Sequence, residues 1–301
     1  MRIAIAAAAL LLLASSRARA TTAADFLNLD IGARATAMGG AFSSVADDAA
    51  AMYWNPAALT RIDHRSAAFM HAIYVDSSYF DYASYAENFG KSGALGASLQ
   101  YYSAGSINKT DANGADIGSF SPYDLAASLG YACKLPDYDF ISDISGLSLG
   151  ATVKYVQSRI VSSAHTTALD LGLLTPAYFD GRLRAAFTAT NLGGQLDYGL
   201  TREPLPRTLR LGASFELAPR WLLSADMVSP LGASNYAAVG TEYWIFTKGP
   251  WKAAGRAGVV TGLAGVSLGF GLNYGGAAFD YAFVPVGAIG DAHRLSLTYN
   301  F

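Results

Sequence analysis

The chain has 301 residues and a formal net charge of -2, a length that suits either one or two soluble domains or one large barrel. Asp, Glu, Lys and Arg supply 15% of it, against roughly 25% in ordinary proteins, while hydrophobic residues reach 52%. The missing basic field sets nucleic-acid partners aside, and a single cysteine, Cys133, excludes a disulfide scaffold.

Residues 1–20 read as a secretory signal peptide. Arg2 supplies the positive end, residues 3–14 the apolar core, and Ala18-Arg19-Ala20 an A-x-A cleavage site before Thr21. An uncleaved anchor is the rival reading, but the run is short for a spanning helix, which takes roughly 20 apolar residues. No uncharged apolar run of about 18 residues follows Ala20, so a helical membrane protein is excluded.

Residues 21–62 are small and turn-forming and unlike the remainder. They carry Gly32-Ala33-Arg34, Met38-Gly39-Gly40, Asp47-Asp48 and Asn55-Pro56. Asp47 or Asp48 is placed to N-cap the run to Trp54, and Asn55 with Pro56 to start a further helical turn. Elements this short are unstable alone in water, so the segment is expected to be a plug held inside a surrounding structure. Arg34 and Met38 are candidate contacts for a ligand's head and tail; the plainer expectation pairs Arg34 with an inward carboxylate and leaves Met38 filling space.

Residues 63–301 repeat segments of roughly 10 residues that alternate apolar with small or polar, the pattern of transmembrane β-strands. Leu149, Ala151, Val153 and Tyr155 alternate with Ser148, Gly150, Thr152 and Lys154; Leu209, Leu211, Ala213 and Phe215 alternate with Arg210, Gly212 and Ser214. About 14 segments are expected, beginning near Ser66, Ser77, Ser92, Pro122, Leu147, Thr166, Gly181, Arg207, Arg220, Asn235, Trp251, Ala264, Gly276 and His293. The fold class is therefore all-β: a transmembrane antiparallel β-barrel of about 14 strands with a partly helical N-terminal plug, in the bacterial outer membrane and in contact with its lipid. The turns at 179–181, 218–220 and 275–276 are tight and those at 103–121 and 192–206 long, which sets the short ones in the periplasm. The loop at 134–145 is the exception. Tyr178, Phe179, Trp221, Trp251, Tyr274 and Phe301 beside the short turns form the interfacial girdle. A soluble β-sandwich would leave outward faces as oily as its interior, an aggregation liability.

Lys154, Asp170, Arg210, Glu216, Asp226, Glu242, Arg256, Asp280 and Arg294 all fall on the wet face. Centring the turn on Gly249 sets Glu242 opposite Arg256, a predicted lumen ion pair. Mixed signs favour a lumen filled by plug and ion pairs over a one-sign ion filter.

Nothing in the pattern supports catalysis, a cofactor or a metal. His165 beside Ser162 and Ser163 has no acidic orienter, and no Cys/His spacing fits a transition metal. Asp111, Asn113, Gly114 and Asp116 lack the final glutamate of a calcium loop and read as a turn. Cys133 reads as a buried small hydrophobe.

The segment Gly32-Ala33-Arg34, Ala37-Met38-Gly39-Gly40-Ala41-Phe42, Ala46-Asp47-Asp48-Ala49 and Asn55-Pro56-Ala57-Ala58-Leu59 closely resembles the start of PorV/PorQ-family outer-membrane proteins, which in turn look like FadL long-chain fatty-acid transporters. The similarity continues through residues 149–155, 169–173 and 205–212, with Ala58 standing where the FadL pattern has Gly. The resemblance implies a 14-strand FadL-like barrel whose hatch enters from the periplasm, with the Asp47-Asp48 and Asn55-Pro56 positions as hatch motifs. It implies a role in type IX secretion as a carrier of exported cargo or, alternatively, as a conduit for small hydrophobic ligands. The chain is much shorter than FadL transporters, which bears on the extended outer loops where those proteins capture lipids.

Overall fold

The computed structural model describes residues 22–74, 77–136, 145–199, 201–262, 265–285 and 291–301. Fourteen strands close into an antiparallel barrel: β1 (Arg65–Ile73), β2 (Tyr79–Asn88), β3 (Ala94–Ser103), β6 (Tyr123–Lys134), β7 (Ser148–Arg159), β8 (Ser163–Leu174), β9 (Leu183–Leu192), β12 (Thr208–Ala218), β13 (Trp221–Pro230), β14 (Tyr236–Lys248), β15 (Trp251–Val260), β16 (Val266–Tyr274), β17 (Ala277–Pro285) and β18 (Asp291–Asn300). The register of β1 against β18, Ser66 to Asn300 through Ile73 to His293, joins the ends of the wall. Closure leaves no open sheet edge, a requirement of any sheet immersed in lipid. Two further hairpins, β4 (Ile107–Thr110) with β5 (Asp116–Phe120) and β10 (Gln195–Asp197) with β11 (Arg202–Pro204), stand in the long loops. Polar loop sequences gave no sign of them.

The period-2 pattern sorts the wall into two faces. Leu129 is 71% exposed and Val153 58%, whereas Thr152, Lys154 and Asp170 beside them in register are buried. Such an outside is stable only against lipid. Phe179, Trp221, Trp251, Tyr274 and Phe301 are all exposed at the end of the barrel that carries the short turns. Most of the loop expected at 134–145 lies outside the described residues.

Two placements differ from expectation. Cys133 is half-buried on the outward face of β6, because its register partner Leu149 also faces out. The first described residues lie at the outer mouth, where the Ala23 N–H donates to the Pro204 carbonyl at 3.0 Å, and the plug descends from there toward the periplasm.

The buried core is the plug itself. Ile31, Met38, Phe42, Met52, Trp54, Leu59 and Ile62 are all shut away from solvent inside the wall. Trp54 anchors it: its indole N–H donates to the Ile31 carbonyl at 2.9 Å and its ring meets Phe42 edge-on at 5.9 Å. Asn55 accepts from the Ala57 N–H at 3.0 Å and so caps the 3-10 turn Pro56–Arg61. Asp48, not Asp47, supports the turn before helix Ala51–Trp54, accepting from the Ala50 N–H at 2.8 Å.

Candidate functional site

The plug and one side of the wall share a chain of five charges. The Arg34 guanidinium donates to both Glu242 oxygens at 2.8 and 2.9 Å and to Asp47 at 2.6 Å. Across the ladder, Arg256 donates to Glu242 at 2.7 Å and to Asp280 at 2.6 Å. Glu242 is thus shared by one guanidinium from the plug and one from the wall, on β14 and β15 residues that are direct register partners. Bidentate pairing of this kind fixes orientation as well as charge. Burial alone would lower the Arg34 pKa, but Asp47 and Glu242 hold it well above its ordinary value. Two more wall arginines reach the plug: Arg210 donates to the Gly40 carbonyl at 2.8 Å, and Arg294 to the Thr36 hydroxyl at 2.9 Å.

Glycines on the lumen face let the plug approach the wall closely. A Cβ added at Gly150 would strike the backbone of Pro56 and Ala57, and one at Gly258 the backbone of Met38 and Gly39. The plug turn at Gly39 and Gly40 itself needs positive φ, 66° and 75°. Met38 is fully buried against Gly240 and Gly258 and fills space, while Gly32 donates its N–H to the Met70 sulfur at 3.0 Å. Pro56 follows the Asn55 cap, and Asn55 also donates to the carbonyls of Ser43 and Leu173, both at 3.1 Å.

The filled centre leaves cavities at the two mouths. The outer one, ≈ 720 Å³, is lined by Phe26, Leu29, Tyr74, Tyr102 and Tyr198, with Asp25, Asp124 and Glu203 at its polar edge. The periplasmic one, ≈ 570 Å³, is polar and is lined by Arg34, Asp47, Asp48, Arg61, Arg256 and Asp280. No residue lines both. Arg34 therefore looks to the periplasm, and Met38 lines neither.

The sequence also hid an outward-facing rim on the outer side. His71 Nδ1 lies 2.7 Å from Asp81, and Tyr79, Tyr101 and Tyr123 stack in series beside them at centroid distances near 6 Å. Cross-strand register, which sequence alone does not give between β1, β2, β3 and β6, assembles it. His165 stacks on Tyr155 at 6.1 Å on the same outward face. The residues from Asp111 to Asp116 form the β4–β5 hairpin turn, where Asp111 accepts the N–H groups of Asn113 and Ala115. Among the described residues no cluster of His, Cys, Asp and Glu is arranged to hold a metal.

The family model for the type IX secretion system protein PorV matches residues 13–219. No curated protein matches the chain. Among solved structures, the CymD monoaromatic hydrocarbon channel superposes with a TM-score of 0.59 at 14% identity, covering 91% of this chain and 98% of that one. A Pseudomonas aeruginosa FadL homologue gives 0.58 at 14% identity, covering 90% and 98%. The Pseudomonas putida toluene transporter TodX gives 0.56 at 15% identity, again covering 90% and 98%. At such identities the likeness speaks for the fold alone: the barrel architecture that these channels and transporters share with this chain.

Proposed function

Since the chain belongs to the PorV family of type IX secretion system proteins, we propose that it serves protein export or surface assembly at the bacterial outer membrane, after removal of residues 1–20. In this reading, residues 21–62 are a resident plug and residues 63–301 the barrel that displays the outer loops to exported cargo. The observation that carries it is the filled lumen: the two mouth cavities share no lining residue, and the plug between them is buried against the wall. With the lumen occupied, the working surface is the outer rim, where β4 of the β4–β5 hairpin is exposed at every residue from Ile107 to Thr110. A photocrosslinker at Lys109 in that hairpin, in cells that carry a type IX system, is expected to capture exported polypeptides; capture equal to that from a periplasmic position such as Lys248 would refute the reading.

The alternative function, a conduit for small hydrophobic molecules, draws on the aromatic-lined outer cavity. Mass spectrometry of the gently extracted protein separates the two. A stoichiometric apolar small molecule favours the conduit, and co-purifying polypeptides favour the carrier.

A further inference from the structure

A smaller cavity of ≈ 200 Å³ opens beside the periplasmic mouth, and its lining brings Arg61 from the plug together with Arg184 of β9, Arg220 at the β12–β13 turn, and Ser44. The Arg184 and Arg220 guanidiniums have no hydrogen bond or ion pair among the described residues. Arg61 spends its Nη1 on the carbonyls of Ser44, Val45 and Ala46, while its Nη2 stands 3.9 Å from Asp47. Burial, with Arg184 and Arg34 adding to it, pulls the Arg61 pKa down although Asp47 opposes them. Among the described residues the Arg184 and Arg220 charges therefore have no paired carboxylate, and Arg61 has only the longer contact to Asp47.

The carboxylates that line the same cavity do not close the account. Glu242 is shared by Arg34 and Arg256, Asp47 pairs closely with Arg34 and only at 3.9 Å with Arg61, and Glu216 is exposed and forms no ion pair among the described residues. Ser44 is fully buried and its hydroxyl has no hydrogen-bond partner. Its carbonyl accepts from Ser214 at 3.4 Å, and Ser214 is the direct register partner of Arg184. Guanidiniums lining one cavity together with a neutral donor form the usual chemistry of oxyanion recognition.

We propose that this cavity is an anion site for a phosphate-type group entering from the periplasm, held by Arg61, Arg184 and Arg220 with the Ser44 hydroxyl as a neutral donor. An anion there joins the plug segment that Arg61 braces to β9 of the wall, so occupancy tightens the seat of the plug. The proposal does not depend on the export reading.

Trp221 and Trp244 line the same cavity, so their fluorescence reports on it. The full-length protein in non-ionic detergent is titrated with inorganic phosphate and, separately, with chloride at equal ionic strength. A saturable change with phosphate and none with chloride is expected. Arg184→Gln and Arg220→Gln should each weaken the response about tenfold, the loss of one charge-assisted contact, while Arg207→Gln at the outer end leaves it unchanged. A heat-shifted gel band checks folding, and the exposed Arg220 keeps the test open should Arg184→Gln not fold. A second arm doses the micelles with phosphatidylglycerol: a response to inorganic phosphate identifies a free ion, and a response to the lipid alone identifies a headgroup. Equal responses to phosphate and chloride, responses undiminished in both folded variants, or no response in either arm would overturn the site.

Discussion

The two halves of the wall grip the same plug by different physics. On the side from β12 to β18, charge is added to the close packing of Met38 on Gly240 and Gly258: Arg34 of the plug meets Glu242, Asp226 accepts the Ser43 N–H at 3.1 Å, and Arg210 and Arg294 reach plug oxygens. On the side from β3 to β8, contacts to the plug are neutral. Met52 lies over Gly96 and Gly130, Pro56 and Ala57 over Gly150, and the Thr60 and Ser148 hydroxyls share a hydrogen bond of 2.8 Å. The wall's own buried pair there, Lys154 with Asp170 at 2.7 Å, turns to Asn191 instead. A grip made of charge concentrates its free energy in few atoms, whereas a grip made of shape spreads it over many.

Removing the shared carboxylate should therefore do the most harm. Glu242→Gln leaves the buried Arg256 and the half-buried Arg34 facing a neutral amide, and breaking a buried pair this way costs roughly 3 to 5 kcal/mol. The expected result is a barrel that still resists detergent but conducts ions steadily in planar bilayers, because the plug is loosened from its charged side. On the neutral side Gly150→Ala forces one methyl onto the Pro56–Ala57 backbone and should cost about 1 to 3 kcal/mol, the range for overpacking. If Gly150→Ala opens the lumen more than Glu242→Gln does, the ranking of the two grips is reversed.

Each half was legible to a different degree. Wall strands were readable because lipid and lumen enforce a period of two on every one of them; the largest miss at a strand start is β8, expected from Thr166 and found from Ser163. The facing of Glu242 and Arg256 followed from a tight turn. That Arg34 is the third member of their group did not, because Arg34 and Glu242 are 208 residues apart and no local pattern links a helical turn to a particular strand. The glycine notches were visible only as small residues in alternating positions, since close approach is a property of two surfaces and the sequence displays one at a time. The arginines of the periplasmic cavity were missed for the same reason: Arg61, Arg184 and Arg220 lie in three separate elements.

Asn55 tests the neutral grip by hydrogen bonding. Its side chain caps the turn from Pro56 and donates to a plug carbonyl and a wall carbonyl. Asn55→Ala should cost about 1 to 2 kcal/mol, a lost cap with two carbonyls left without a donor. Faster proteolysis of the plug in detergent, with the barrel band unchanged on a gel, is the expected readout. Equal loss of barrel and plug would show that the cap supports the wall as well.

The smallest effect has the opposite sign. Burial first, and the neighbouring Asp47 second, push the Asp48 pKa up to about 6. Between about pH 4, the ordinary carboxylate range, and about 6, the folded protein thus keeps a proton that the unfolded chain has released. The stability this proton confers is complete at acid pH and is lost as pH rises through that window. Asp48→Asn keeps an oxygen for the Ala50 N–H and removes the charge, so it should tighten the plug at pH 7, by no more than about 1 kcal/mol once solvent screening of a partly exposed group is allowed for. Below about pH 4 it should make no difference. Proteolysis rates of the plug measured from pH 4 to pH 7 should rise in the parent protein and stay flatter in the variant. A slope kept intact by Asp48→Asn would assign the titration to another group and leave the charged grip independent of pH in this range.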